Sequence, residues 1–245
     1  MNQMAIRATG LTRQFSSVRA LDDFTIDVPA GAVFGFLGPN GAGKTTTIRL
    51  LLGLIEPTRG IAEVLGFDTR THGHDIRARC GALLEHAGLY ERFSAEDNLR
   101  FYGRIARMTE PEIGQRIKEL LTQMDLWDRR SEAVVKWSRG MKQKLAIARA
   151  VLHRPGLVFL DEPTAGLDPV AANSVRKDLA ALASQQGTTI FLTTHNMAEA
   201  ERLCDRVGVI RHGKLIAVGA PAELRARSGH DRFEEAFLSL MEHDS

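Results

Sequence analysis

Cysteine is nearly missing from this chain. Cys80 and Cys204 are the only two in 245 residues, and neither lies in the paired spacing of zinc or redox motifs. That excludes a disulfide scaffold and a cysteine-bound metal, and reduced, structural thiols are expected. Long apolar runs are missing too. Nothing approaches the roughly 18 residues of a membrane-spanning helix, and Met1 to Gly10 lacks the apolar segment of a secretion signal. A role at a membrane would therefore need a second chain to supply the span. Neither sign of charge is in excess: 32 basic against 30 acidic residues leave +2, which removes any overall bias towards polyanions. The arginines at 77–79 and 225–227 have acidic neighbours and read as solvated faces. Internal repeats and low-complexity segments are absent as well. What remains, 44% apolar and 25% charged residues, is the composition of a globular protein with a substantial core. The length fits one large domain, or one domain with a subdomain.

The most informative stretch is Gly38-Pro39-Asn40-Gly41-Ala42-Gly43-Lys44-Thr45-Thr46. It follows the apolar run Ala32 to Leu37 and precedes the leucine-rich Ile48 to Ile55. Strand, glycine loop and helix in that order make GxxxxGK[ST] a phosphate cradle. The glycines let successive N–H groups point inward as an anion nest, and the helix from Lys44 adds its positive end. Lys44 is placed to reach the β- and γ-phosphates, and Thr45 to offer its hydroxyl to Mg²⁺. A nucleotide site is the reading.

The rest of the chain supplies an α/β frame. Ile6 to Leu11 and the alternating Phe24, Ile26, Val28 read as half-buried antiparallel strands. Short strands follow at Ile61 to Leu65 and Gly81 to Leu84, with a helix through Asp75 to Arg79 between them. From Glu85 to Val135 strand signals vanish, and Ala95 to Met108 and Pro111 to Met124 read as amphipathic helices, an inserted helical subdomain. The α/β pattern then resumes: a helix from Arg139 to His153, strand Leu157 to Leu160, a helix through Ala171 to Ala183, and strand Thr188 to Thr193. A short helix at Met197 to Leu203, strands at Arg206 to Arg211 and Lys214 to Val218, and helices after Pro221 complete the chain.

Leu157 to Leu160 is apolar throughout, as a central parallel strand is, and it ends in Asp161-Glu162-Pro163. Its carboxyl end opens where such sheets bind ligands. Asp161 is placed to hold Mg²⁺, and Glu162 to orient and deprotonate water. Thr194-His195 ends the next strand on the same edge, which suits a γ-phosphate contact. Asp168 before Pro169 is a natural helix cap, and capping alone accounts for it. Ser138 likewise caps a well-patterned helix, and Gly140 leaves room beside its free N–H groups; a capped helix without a ligand reads equally well from these residues.

Together these pieces resemble the ATP-binding cassette (ABC) family, from about Ile6 to Val218. The resemblance implies a P-loop α/β core with an N-terminal antiparallel β subdomain. One cassette would span 1–245: core 1–84 and 155–220, helical subdomain about 85–154, short helical tail 221–245. It makes Gly38 to Thr46 the Walker A motif, Leu157 to Asp161 Walker B, Glu162 the catalytic carboxylate and His195 the switch histidine. Asp168 falls in the D-loop, and Ser138, Arg139, Gly140 and Met141 form the signature that contacts ATP in trans. Phe15 looks like the adenine-stacking aromatic, with core packing as its competitor. ATP and Mg²⁺ are the implied cofactors, Mg²⁺ being held by Thr45, Asp161 and Glu85. Two cassettes, as homodimer or heterodimer, would close on ATP head to tail.

Two departures stand out. The usual Leu-Ser-Gly-Gly-Gln is Trp137-Ser138-Arg139-Gly140-Met141, and the Q-loop glutamine is replaced by Glu85. The Ser-Arg-Gly-Met form and the segment Glu85 to Leu99 are similar to the ABC-2 branch. That branch implies an ATP-hydrolysing subunit at the inner face of a bacterial cell membrane. It would power export of a drug-like compound or an ion through a separate integral membrane permease docked near residues 85–102. The alternative is a soluble ABC ATPase acting on nucleic acid or ribosomes; one cassette, no cysteine cluster and no heptad run argue against it, and no nucleic acid is expected.

Overall fold

The computed structural model describes residues 3–242; the expected boundaries at residues 1 and 245 lie outside them. Strands β1 (Met4–Phe15) and β2 (Val18–Pro29) form a long antiparallel hairpin, which β4 (Arg59–Val64) and the two-residue β5 (Phe67–Asp68) extend into a four-stranded sheet. Ile6, Ala8, Leu11, Phe24, Ile26 and Val28 face its core, the alternation that half-buried strands require.

A six-stranded sheet forms the centre, in the order β10-β9-β3-β8-β7-β6. Strands β3 (Val33–Leu37), β6 (Cys80–Leu83), β7 (Leu157–Asp161), β8 (Thr189–Thr194) and β9 (Arg206–Arg211) run parallel, and β10 (Lys214–Gly219) turns back as an antiparallel edge. The middle of the parallel strands is mostly apolar on both faces because both faces are covered. Phe34, Phe36, Leu157, Phe159 and Phe191 pack towards the antiparallel sheet and α1 (Lys44–Leu51). There Phe191 lies 5.5–5.6 Å from the rings of Phe34, Phe36 and Phe159. Val33, Leu37, Val158, Leu160, Ile190 and Leu192 point the other way, into the core shared with the larger helices. α2 (Gly73–Arg79) leads into β6.

The inserted subdomain is α3 (Ala95–Ile105) and α4 (Glu110–Gln123) with two short 3₁₀ turns. Ser94 caps α3, accepting from the backbone N–H of Asp97, while Thr109 and Glu112 close a capping box on α4, so both start where their sequences signal. α5 (Arg139–Val151) spans the boundary: Leu145 and Ala148 join the helical core, while Arg149 Nη2 donates to Ala82 O on β6 at 2.9 Å. α6 (Pro169–Gln186), α7 (Met197–Leu203), α8 (Pro221–Ser228) and α9 (Phe233–Glu242) complete that side. No described helix is long and apolar enough to cross a membrane. Cys80 and Cys204 are buried and unbridged; burial pushes the Cys80 thiol up to about 12 and the Cys204 thiol higher still.

Candidate nucleotide site

The carboxyl ends of β3, β6, β7 and β8 meet at one edge of the parallel sheet, and a cavity of about 670 Å³ opens there. The Gly38 to Thr46 loop leaves β3 and wraps its floor. Two glycines in it are sterically obligatory. A Cβ on Gly38 would lie 2.3 Å from Ile210 O, and Gly43 sits at φ +110 with Ala20 O only 2.5 Å from where a Cβ would be. The loop then enters α1 with no side-chain cap on the first turn, leaving N–H groups free for an anion.

Lys44 is only 6% exposed. Its ammonium donates to Gly38 O at 2.7 Å and Pro39 O at 3.1 Å, and lies 3.8 Å from Glu162 Oε1. Desolvation lowers its pKa, opposed by the charges of Glu162 and Asp161. It is thus a cation held at the cavity floor by weak acceptors that phosphate oxygens can replace.

Thr45 Oγ1 donates to Asp161 Oδ2 at 2.9 Å, and Thr193 Oγ1 on β8 donates to Asp161 Oδ1. A hydroxyl and a carboxylate so placed offer hard oxygen ligands from adjoining elements. No cluster of three or more His, Cys, Asp or Glu able to hold a metal occurs among the described residues. A cation that takes one or two protein oxygens beside phosphate and water, as Mg²⁺ does, fits this donor set.

Glu162 follows directly. Its backbone is left-handed (φ 49) and its N–H donates to Thr193 O at 3.1 Å and Thr193 Oγ1 at 3.0 Å. A left-handed non-glycine residue is uncommon and costs about 1 kcal/mol or more, so its neighbours must hold it. The turn aims the carboxylate across the cavity, with Oε2 3.0 Å from His195 Nδ1. Sequence alone put Asp161, Glu162 and His195 on one edge; the structure brings Glu162 and His195 into contact.

A sequence profile described as ABC transporter matches residues 21–165. The chain belongs to the ABC transporter family. It is similar to the bacitracin transport ATP-binding protein BcrA of Bacillus licheniformis, 42% identical over 86% of this chain and 68% of that protein. It is also similar to the daunorubicin/doxorubicin resistance ATP-binding protein DrrA of Streptomyces peucetius, 39% identical over 98% of this chain and 71% of that one. A solved structure titled as the ATP-binding subunit of an ABC transporter superposes with a TM-score of 0.86 at 31% identity, covering 97% and 100% of the two chains. As an ATP-binding subunit of this family, the chain is an ATP hydrolase.

Of the other motif residues, Ser138 and Asp168 cap their helices as expected, while Arg139, Gly140 and Glu85 depart from expectation. Ser138 caps α5, its Oγ accepting from Met141 N at 3.3 Å, and Met141 is partly buried against the larger core. The room beside Gly140 is filled: a Cβ there would lie 2.8 Å from Ala171 Cβ on α6. Arg139 stays exposed, and its Nη2 donates to Ala165 O of its own chain at 3.1 Å. Asp168 caps α6, Oδ1 accepting from Val170 N and Ala171 N at 2.9 Å. Glu85 stands on the cavity wall, but its carboxylate pairs with Arg49 of α1 at 3.2 Å rather than with Thr45 or Asp161.

Phe15 ends β1, 41% exposed, with the Arg13 guanidinium 4.4 Å above its ring. The nearest cavity wall is made by Val18, Arg19 and Ala20 instead, together with His212 from the β9–β10 turn. Sequence reasoning passed over these four, and over Gln143 and Thr193. They lie outside any local motif, and only the sheet order brings them to the site.

Proposed function

We propose that this ABC subunit hydrolyses ATP at Glu162 within a pair of cassettes that close on the nucleotide, and thereby powers export through a separate permease. The arrangement that carries the reading is Lys44 and Glu162 facing each other in one cavity, with His195 paired to the Glu162 carboxylate. Lys44 exchanges its loop carbonyls for β- and γ-phosphate oxygens. Glu162 takes a proton from the attacking water while His195 holds the carboxylate's direction and faces the γ-phosphate. Mg²⁺ held by Thr45 and Asp161 would neutralise charge on those phosphates. The other cassette supplies Ser138 at its α5 N-terminus; self-pairing is the simpler arrangement, since one chain holds both half-sites.

Export is favoured by relatives named for bacitracin transport and for daunorubicin and doxorubicin resistance. Docking of the permease near residues 85–102 is supported by an exposed aromatic group there. Tyr90, Phe93 and Phe101 are each more than a third exposed, with the rings of Phe93 and Phe101 5.5 and 5.0 Å from Tyr90. Buried Asn98 holds that loop in shape by bonding both backbone groups of Tyr90. An exposed apolar cluster of this kind favours an interaction surface over a solvated loop. With its spanning segment supplied by that permease, the subunit would sit at the inner face of the membrane.

Glu162→Gln tests the chemistry. ATP binding, followed by a fluorescent analogue, should persist while turnover falls at least about 100-fold, the contribution of a positioned general base. Turnover near the unmodified rate would remove Glu162 from that role.

A further inference from the structure

The loop Pro163 to Gly166 begins where Glu162 ends, and side chains on two helices hold it. Gln143 on α5 donates Nε2 to Pro163 O at 2.7 Å. Arg139, one turn earlier on the same face, donates to Ala165 O at 3.1 Å. Gly166 passes so close that a Cβ would lie 2.5 Å from the Arg139 guanidinium. From the opposite side, Thr164 Oγ1 donates to Glu199 Oε1 at 2.7 Å. Glu199 is 1% exposed on α7, the helix that His195 and Asn196 introduce. Among the described residues, the backbone bonds within this loop are turn bonds, Ala165 N to Glu162 O and Leu167 N to Thr164 O.

Glu162 needs such support. Its left-handed backbone persists only where the surroundings over-determine it. Upstream, Thr193 fixes its N–H. Downstream stands Pro163, which has no N–H and can be held only through its carbonyl. Gln143 holds that carbonyl.

We propose that Gln143 is a positioning residue for ATP hydrolysis. By tying Pro163 to α5, while Thr164 and Glu199 tie the same loop to α7, it fixes the direction in which the Glu162 carboxylate leaves the chain. The helix that offers Ser138 to a second cassette is therefore joined in cis to its own hydrolytic carboxylate, and a movement of α5 reaches Glu162 through one hydrogen bond. The proposal rests on Glu162 being the base.

The test uses the full chain with three substitutions. Gln143→Met keeps the side chain's length and helix preference and removes the donor. Gln143→Lys keeps a donor. Glu162→Gln is the control. Steady-state kcat and KM, equilibrium ATP affinity and thermal midpoint are measured for each. Gln143→Met should lower kcat about tenfold, since small misplacements of reacting groups are that costly, while KM, ATP affinity and midpoint stay within twofold or a degree or two. Gln143→Lys should recover most of the lost kcat. If Gln143→Met keeps kcat within twofold, or loses kcat, affinity and midpoint together, or if Gln143→Lys is no better than Gln143→Met, Gln143 does not position the base. Normal turnover by Glu162→Gln would instead overturn the assignment of the base.

Discussion

Charge placement at single residues decides what the site can do. Lys44, Asp161 and Glu162 share one cavity, so an additional carboxylate at the phosphates would repel them. Glu85 is kept from doing so by its pairing with Arg49, 3.2 Å away and 36 residues earlier. The sequence shows a carboxylate where a glutamine is usual, but not the arginine that occupies it, because that partner lies on a different element. Both side chains are about half exposed, so the pair itself contributes little stability. Glu85→Gln should therefore leave stability nearly unchanged and shift the Mg²⁺ titration of turnover, as the released Arg49 is freed to face the phosphates; an unchanged titration would show the side chain to be idle. The sign of the pH dependence follows from a different residue. Burial holds the His153 imidazole below its ordinary value of 6.5, against the opposing effect of its hydrogen bond to the Cys80 backbone. Between the folded and unfolded values the unfolded chain binds more protons, so stability falls as pH drops below about 6.5, by at most ~1.4 kcal/mol per pH unit for one group. His153→Gln should flatten that fall in urea-unfolding measurements at pH 6.5 and 5.5. An unaltered slope would contradict the burial argument.

Elements were legible wherever periodicity and punctuation agreed. α4 is the clearest case: Pro111 in its first turn and Ile113, Ile117, Leu120 and Leu121 at helical spacing mark it in the sequence, and all four apolar residues are at most 1% exposed. Leu120→Ala should destabilise the protein by roughly 2–5 kcal/mol, the range for emptying a core leucine site; a loss below about 1 kcal/mol in denaturant unfolding would mean that the two-helix insertion is not packed as described. Boundaries were less legible. The leucine pattern runs on to Ile55, yet α1 stops at Leu51, because Gly53 turns left-handed (φ +60) and Leu54 N returns to Arg49 O. β1 runs past Leu11 to Phe15, since pairing with β2 continues to Val18 through irregular register. β5 is two residues long and carries no period to read. The phosphate loop, Asp161, Glu162 and His195 could be read because each ends or directly follows a strand. The Gln143, Arg139 and Glu199 contacts could not, because they join elements far apart in sequence.

Seen whole, the molecule places a phosphate cradle and a signature helix on one chain, while Arg139 and Gln143 on that helix bond to the chain's own loop after Glu162. In the proposed function the N-terminus of α5 and the cradle belong to different halves of a shared pocket, so turnover would require two copies, or a copy and a related cassette. That requirement is tested most directly by measuring ATPase rate per subunit across a dilution series, with molecular mass determined at each concentration in the presence of ATP. The rate per subunit should fall with dilution in step with loss of the dimer. A constant, full rate from a strictly monomeric chain at every concentration would contradict it.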